Sequence, residues 1–302
     1  MSLNPIVRGD VVIPEDLAKD IVKSATEAST VLSLPGVNVR RMSRKEHKIP
    51  VSSTLATAAW VEEEGTKSQT TATWSSQTIT AEELAAIVTV HDSVLDDADF
   101  DLFDEVKPQL AEAIGSAFDA AVLFGTNAPT SFPNSVVETA VAAGYEVEDG
   151  AGADLAADVN SAMALVEADG LAVNGHAARL AVKSRLRGLR DENGQPIFVS
   201  SLANDGGAAS LYGEPIAFSA NGAWDPDAAT LVTGDWSKLC VGLRQDLTFT
   251  VSKEATVGGV SLFETDRTAL RVVFRAGFQI VAPPTRENAT PCPFAIVSDQ
   301  IT

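Results

Sequence analysis

Residues 48–90 read KIPVSSTLATAAWVEEEGTKSQTTATWSSQTITAEELAAIVTV. The stretch is rich in Thr, Ser, Val and Ile, and Trp60 and Trp74 flank an acidic tip, Glu62-Glu63-Glu64-Gly65. β-Branched residues on both limbs with a glycine-bearing tip between them predict a long two-stranded ribbon. Residues 77–90 form the returning strand. Thr78, Thr80 and Glu82 alternate with Ile79 and Ala81, and Leu84 to Val90 is continuously apolar, so a wet outer part and a buried inner part are expected. A ribbon this long has too little apolar surface to bury itself, and an isolated two-stranded ribbon is marginal in water. Something outside the subunit should hold it, which points to a protein whose work is assembly.

The rest of the chain is compatible with that. Its 302 residues are 45% hydrophobic, enough for one large domain or two smaller ones with a sizeable core. No apolar run reaches the roughly 18–20 residues that a membrane span needs. The N-terminus, MSLNPIVRGD, has no basic segment followed by an apolar one, so no secretory signal is visible. Cys240 and Cys292 are the only cysteines, too few for a metal cage, and read as small buried hydrophobes. The net charge of −19 opposes tight binding to nucleic acid or anionic membranes. It does not oppose enclosing a polyanion, because a repelling wall leaves its contents mobile.

Residues 14–32 are expected to be a helix that begins on Pro14-Glu15-Asp16. Leu17, Ile21, Ala25 and Ala28 give it a narrow apolar face suited to lying on a surface, and Pro35-Gly36 ends it. Val37 to Val51 reads as a short strand crossing a basic patch of Arg40, Arg41, Arg44, Lys45, His47 and Lys48. That patch is either a solvated strand edge or a contact for acidic neighbours such as Glu62, Glu63 and Glu64. After a helical turn at Ser93 to Asp97, Val106, Leu110, Ile114, Phe118, Ala121 and Val122 recur with the helical period, and Gly125 stops the helix. Pro108 sits in its first turn or kinks it.

Residues 126–152 read as a loop. Asp154 is expected to cap a helix through Val159, Met163 and Val166. Leu171 to Val173 reads as a strand and Ala177 to Leu189 as a helix with a basic face of Arg179, Lys183, Arg185, Arg187 and Arg190; that face could recruit a polyanion, but a charge match with Asp154, Asp158 and Glu167 of the same subunit is the preferred reading. Asn193-Gly194 marks a turn. Strands are expected at Ile216–Ser219, Thr230–Thr233, Lys238–Leu243, Asp246–Lys253 and Ala269–Pro283, with a closing strand at Phe294–Val297. The alternation at Leu247, Phe249 and Val251 and at Leu270, Val272, Phe274, Ala276 and Phe278 predicts two half-buried, paired strands.

Signatures of catalysis are missing. The chain has no G-x-S-x-G, H-E-x-x-H, Walker or G-x-G-x-x-G motif, and His47, His91 and His176 stand apart from other ligands. His91-Asp92 reads as a hydrogen-bonded helix start rather than a base with its orienting acid, and Asp225-Pro226-Asp227 as a turn with too few ligands for a cation. No catalytic, cofactor-binding or metal-binding residue is assigned, and no enzyme activity is expected.

The order of segments resembles the major capsid proteins of tailed bacteriophages with the HK97-like fold. The matching segments are Ile13-Pro14-Glu15, AAWVEEEGTK, LAAIVTVHDSVLDDADFDLFDEV, AFDAAVLFGT, DENGQPIF, LYGEPIAFS, LVTGDWSKLCVGLRQDLTFTVS and LFETDRTALRVVFRAGFQIVAP. The resemblance covers nearly the whole chain. It implies an α+β, HK97-like capsid fold with an N-terminal arm and lead-in strand over 1–45 and an extended β-hairpin loop over 46–91. A peripheral domain with a long spine helix would span 92–126 and 243–284, and an α/β axial domain 127–242 and 285–302.

The implied function is a structural shell protein that self-assembles through pentamers and hexamers into an icosahedral capsid. The capsid would enclose double-stranded DNA without sequence-specific binding and assemble in the host bacterial cytoplasm, with no cofactor and no membrane. A separate scaffolding protein, a portal and a maturation protease are the implied partners. Inter-subunit contacts are expected at Arg40, Arg41, Arg44, Trp60, Glu62, Glu63, Glu64, Lys67 and Trp74, and Pro108 is the expected bend in the spine helix. Some members of the family join subunits by a Lys–Asn isopeptide bond promoted by a Glu. The matching positions here are Asp266 and Val273, so Lys67 lacks both partners and no cross-link is expected. The alternative readings are the shell of an encapsulin-type cellular nanocompartment and an unrelated soluble hydrolase.

Overall fold

The structure, a computed structural model, describes residues 29–61, 63, 66–67, 69–96, 102–152, 154–189 and 210–299. In chain order it begins with α1 (Thr30–Ser33), β1 (Asn38–Arg41), β2 (Glu46–Ser52), β3 (Trp74–Thr80), β4 (Glu82–His91), α2 (Asp92–Asp96) and α3 (Leu102–Phe124). Next come α4 (Val136–Ala143), β5 (Glu146–Glu148), α5 (Leu155–Ala168), β6 (Gly175–Arg179) and α6 (Val182–Gly188). The chain closes with β7 (Ser210–Leu211), β8 (Glu214–Ser219), β9 (Leu231–Gly234), β10 (Leu239–Ser252), β11 (Thr256–Val257), β12 (Val260–Ser261), β13 (Arg267–Ile280) and β14 (Phe294–Ser298).

β10 and β13 are both 14 residues long and pair antiparallel along their length, inside a four-stranded sheet ordered β1-β10-β13-β4. Their alternating apolar residues turn one face toward α3. There Leu110, Ile114, Phe118 and Val122 are buried against Leu270, Val272, Phe274 and Phe278. Phe118 meets Phe274 edge to face at 5.9 Å, and Phe132 meets Phe278 at 5.2 Å. Each buried side chain of this kind contributes about 2–3 kcal/mol. Gly125 ends α3 at φ 72°, a left-handed position that suits glycine.

A six-stranded sheet, ordered β5-β14-β9-β6-β8-β7, forms the second unit. Successive residues of β14 serve different cores. Phe294 and Ile296 belong to the core shared with α3 and α4, whereas Ala295 and Val297 belong to a second core with Leu155, Val159, Ala162 and Val166 of α5. Side chains alternate across a strand, so α4 and α5 cover opposite faces of this sheet. Its first face is continuous with the core of the four-stranded sheet, which ties the two units together. Among the described residues, no helix is long and apolar enough to cross a membrane.

The long helix, the paired strands, the Asp154 cap and the closing strand appear where the sequence puts them. Other expectations need correction. Val37–Val51 is two strands, β1 and β2, broken at 42–45. Residues 77–90 are likewise two strands, and Leu84 to Val90 is not continuously buried: Ile87 is exposed, because β4 is an edge strand with one face outward. The expected loop over 126–152 contains α4, opened by a capping box in which Ser135 and Glu138 satisfy each other's backbone N–H groups.

No strand forms at Leu171–Val173, and Ala177–Leu189 is not one helix. The strand is β6, and α6 is only seven residues long. Gly175 to Ala178 is buried on both faces of the sheet, so no alternation marks it as a strand. Lys238–Leu243 and Asp246–Lys253 are parts of one strand, β10, with register shifts between Leu243 and Thr248. Arg185 pairs with Asp149, both N–O distances 2.6 Å, rather than with Asp154, Asp158 or Glu167. Residues 14–28 of the expected first helix, Arg190 and the Asn193-Gly194 turn lie outside the described residues. Of that helix, Thr30–Ser33 is the described part.

His176 of β6 is fully buried. Its Nε2 lies 3.2 Å from the Leu211 carbonyl, and Nδ1 has no hydrogen-bond partner among the described residues, so the ring is neutral with Nε2 donating. Burial pulls its pKa from 6.5 down to about 4, against the opposing pull of the Leu211 carbonyl. The folded pKa is depressed, so its contribution is full above pH 6.5 and is lost as pH falls toward 4. Loss of roughly 3 kcal/mol is expected across that window. Urea unfolding of dissociated subunits at pH 7 and pH 4.5 should show this loss, and His176→Gln should remove most of it. An unchanged pH slope in the variant would contradict the assignment.

Candidate assembly surfaces

The ribbon is a ladder from Glu46↔Thr80 to Ser52↔Trp74. Beyond it the limbs stay joined by hydroxyl groups. The Ser53 backbone N–H donates to the Thr73 carbonyl at 2.9 Å, the Ser53 and Thr73 hydroxyls meet at 2.8 Å, and the Thr57 N–H donates to Thr70 Oγ1 at 2.9 Å. This explains the Thr and Ser content of the segment: side chains extend a pairing that the backbone ladder has left. At the tip, Trp60 is fully exposed at 104%, and Trp74 is 70% exposed at the outer end of the ladder. Glu63 and Lys67 are exposed, while Glu62 and Glu64 lie outside the described residues.

The root of the ribbon is different. Met42, Ile49, Val51, Ile79, Ala81 and Cys240 form a small buried cluster, and just beyond the ladder Arg286 Nη2 donates to the Ala56 carbonyl at 2.6 Å. The expectation that the ribbon has nothing of its own subunit to rest on is therefore wrong for its inner half. Period-two alternation is short there, and the cluster is completed by Met42 and Ala81, which lie between strands, and by Cys240 of β10.

The basic patch is partly spent inside the subunit. Arg41 pairs with Asp246 at 3.1 Å and Lys45 with Glu82 at 3.0 Å, while Arg40 Nε donates to Asn38 Oδ1 at 3.4 Å. The Lys45 contact, followed by that from Ser131, holds the Glu82 carboxyl below its ordinary range. Arg40, Arg44, His47 and Lys48 are exposed. Pro108 is the seventh residue of α3 and exposed, inside the helix rather than in its first turn. It has no N–H to give the helix ladder.

One joint went unread in the sequence. Asp119 of α3 has no exposed surface. Its carboxylate accepts hydrogen bonds from Ser29 Oγ (2.6 Å), the Thr30 N–H (2.6 Å), the Val31 N–H (3.3 Å) and Asn221 Nδ2 (2.8 Å). Burial pushes its pKa up, and these donors pull against that. It joins three parts: the start of α1, the long helix, and the turn after β8. A second buried acid, Asp169, takes bonds from Asn288 Nδ2 (2.6 Å) and the Cys292 N–H (2.8 Å), which fixes the segment leading into β14.

The sequence-flagged chemistry resolves into structural contacts. His91 Nδ1 lies 2.9 Å from Ser93 Oγ at the start of α2, and Asp225 Oδ1 accepts the Asp227 N–H at 3.0 Å in a turn. Cys240 and Cys292 are buried free thiols. Among the described residues, no group of three or more His, Cys, Asp or Glu side chains could hold a metal ion.

The profile of a family described as the phage capsid family matches residues 9–284. The chain is 27% identical over 282 residues to the major capsid protein of Staphylococcus phage 80alpha, covering 90% of this chain and 82% of that one. A solved structure from Microbacterium phage Oxtober96 superposes with a TM-score of 0.80 at 33% identity, covering 99% of this chain and 95% of that one. One from Mycobacterium phage Adephagia gives a TM-score of 0.80 at 32% identity, covering 91% of each chain.

Proposed function

This chain belongs to the phage capsid family, and we propose from that premise how its parts build a shell. It is a major capsid protein of a tailed phage, its copies form the shell, and its place is the virion capsid. The observation that carries this is similarity along nearly the full length, in fold and in sequence together. The encapsulin reading is not favoured, since the relatives matched are phage capsid proteins.

In the proposed arrangement the outer ribbon lies across a neighbouring copy. Its exposed Trp60 and Trp74, on a segment whose limbs are joined mainly through hydroxyl groups beyond the ladder, support this. Arg40, Arg44, Glu63 and Lys67 are proposed to supply charged contacts at the rim of that interface, as are Glu62 and Glu64. Arg41 is proposed to serve chiefly its own subunit through Asp246.

The four-stranded sheet with α3 is the proposed peripheral unit and α3 its spine. The six-stranded sheet, with β14 returning to it, is the proposed axial unit, which would meet its copies in pentamers and hexamers. Because β4 pairs with β13 from His91 to Glu82, residues 82–91 are assigned to the peripheral unit and the extended loop to 46–80. The segment before Ser29 is the proposed arm, rooted on α3 through Asp119. Pro108 is the proposed bend of the spine. A scaffolding protein, a portal and a protease complete the proposed assembly in the host cytoplasm. The charge of −19 supports a wall that leaves enclosed DNA mobile.

No covalent cross-link between copies is expected. Asp266 offers a carboxyl group where an Asn amide would be needed, and Val273 offers no base. Mature particles should give a single subunit band on a denaturing gel, and a ladder of multiples would contradict this. The shell reading itself is tested by electron microscopy and size-exclusion chromatography of the purified protein. Closed particles are expected, and a compact monomer under assembly conditions would refute it.

A further inference from the structure

Gly242 of β10 and Gly277 of β13 stand directly opposite each other in the antiparallel register. Neither has positive φ, so conformational freedom is not the reason for glycine at either place. The reason is space. A Cβ on Gly277 would lie 2.0 Å from the Thr80 carbonyl oxygen and 2.7 Å from its carbon. A Cβ on Gly242 would lie 2.2 Å from Met42 Sδ and 2.9 Å from Ile79 Cγ2. Real Cβ contacts essentially never fall below 3.0 Å. Thr80 ends β3, so the paired glycines open a notch in the sheet where the root of the ribbon crosses it. Ala81 N–H donates to the Lys45 carbonyl at 2.8 Å, and the Met42 N–H donates to the Leu243 carbonyl at 2.8 Å, which fastens both limbs at that crossing. Glycine inside a strand weakens it, so two facing glycines need a close approach to offset that cost.

We propose that the Gly242–Gly277 notch is a seat that sets the angle of the ribbon to the body of its own subunit. The ribbon reaches a neighbour as a strut already aimed, rather than as a loop aimed by the neighbour. The consequence for shells rests on the reading of the chain as a capsid protein; the seat itself does not.

Two measurements separate these. The first is hydrogen exchange at the amides of 46–52 and 74–81 in dissociated subunits, which needs no shell. The second is electron microscopy of assembled material. Gly277→Ala puts a methyl group into backbone that no side-chain movement can clear. Exchange at the root should rise roughly tenfold or more, while that of α3 and β14 stays near wild type. Gly242→Ala meets side chains instead, Met42 Sδ at 2.2 Å and Ile79 Cγ2 at 2.9 Å, so it should loosen the root less, and adding Met42→Ala, which removes the closer contact, should restore protection. Closed particles should follow the same order: lost in Gly277→Ala, reduced in Gly242→Ala, recovered in the double variant.

The seat is overturned if both single variants keep wild-type exchange at the root, or if Met42→Ala fails to restore protection in Gly242→Ala. If Gly277→Ala does not fold, the Gly242 pair decides alone. Root exchange that behaves as described in a protein that never forms particles would support the seat and refute the shell reading.

Discussion

Asp119→Ala is expected to destabilise the subunit by about 3–5 kcal/mol, among the largest effects of any single polar substitution in the chain. Four donors converge on this carboxylate, from Ser29, Thr30, Val31 and Asn221. Truncation strands them in a site without exposed surface. A buried donor left without a partner costs about 1–3 kcal/mol, and relief of the buried carboxylate offsets part of that sum. Asp119→Asn keeps the shape and one acceptor but points an amide at the donors, so an intermediate loss is expected. Urea unfolding of dissociated subunits measures both. Limited proteolysis near Ser29 should also quicken in the alanine variant, because the start of α1 loses its fastening to the long helix. A cost below about 1 kcal/mol would mean that water or relaxation replaces the joint, and Asp119 would not be what holds these parts together.

Replacing residues 53–73 by a two-residue Asn-Gly turn between Ser52 and Trp74 is expected to abolish closed particles. The subunit should remain stable to within about 1 kcal/mol, because an exposed segment held to the body by a surface hydrogen bond contributes little. The cut lies outside the buried cluster of Met42, Ile49, Val51 and Ile79 and outside the glycine notch, so the ladder from Glu46 to Ser52 is retained. What is removed is the hydroxyl-paired outer half with its exposed Trp60 and the Arg286–Ala56 bond. A shell multiplies one contact over many copies, so a modest loss at each interface becomes an all-or-none loss of closure. Normal particles from the shortened chain would show that the outer ribbon is not an assembly contact.

Legibility varied with the physics of each element. The long helix declares itself because one face is buried and the other is wet, so Leu110, Ile114, Phe118 and Val122 recur with its period. The two long strands declare themselves for the same reason at period two. β6 does not, because Gly175 to Ala178 is covered on both faces and small residues fit either helix or strand. α4 is within reach of the sequence, since Ser135-Val136-Val137-Glu138 is a capping box, but Pro129, Pro133, Gly144 and Gly150 around it carry the signal of a loop.

The assembly surfaces split along similar lines. An exposed Trp in a polar ribbon is visible in sequence, because no local partner accounts for it. Asp119 is not, since an acid beside Phe118 reads as the wet face of a helix until its partners 88 to 102 positions away are known. The paired glycines were equally hidden: Gly277 falls in the outward series of β13, and only the fold shows the Thr80 carbonyl lying against it.

The most direct measurement of the central claim is a density map of the assembled shell that resolves residues 53–73. The account predicts that this segment lies on a neighbouring copy, with the Trp60 indole covered by that copy, while the root stays in its own glycine notch. A map in which Trp60 points into solvent, or in which the outer ribbon rests only on the body of its own subunit, would contradict it.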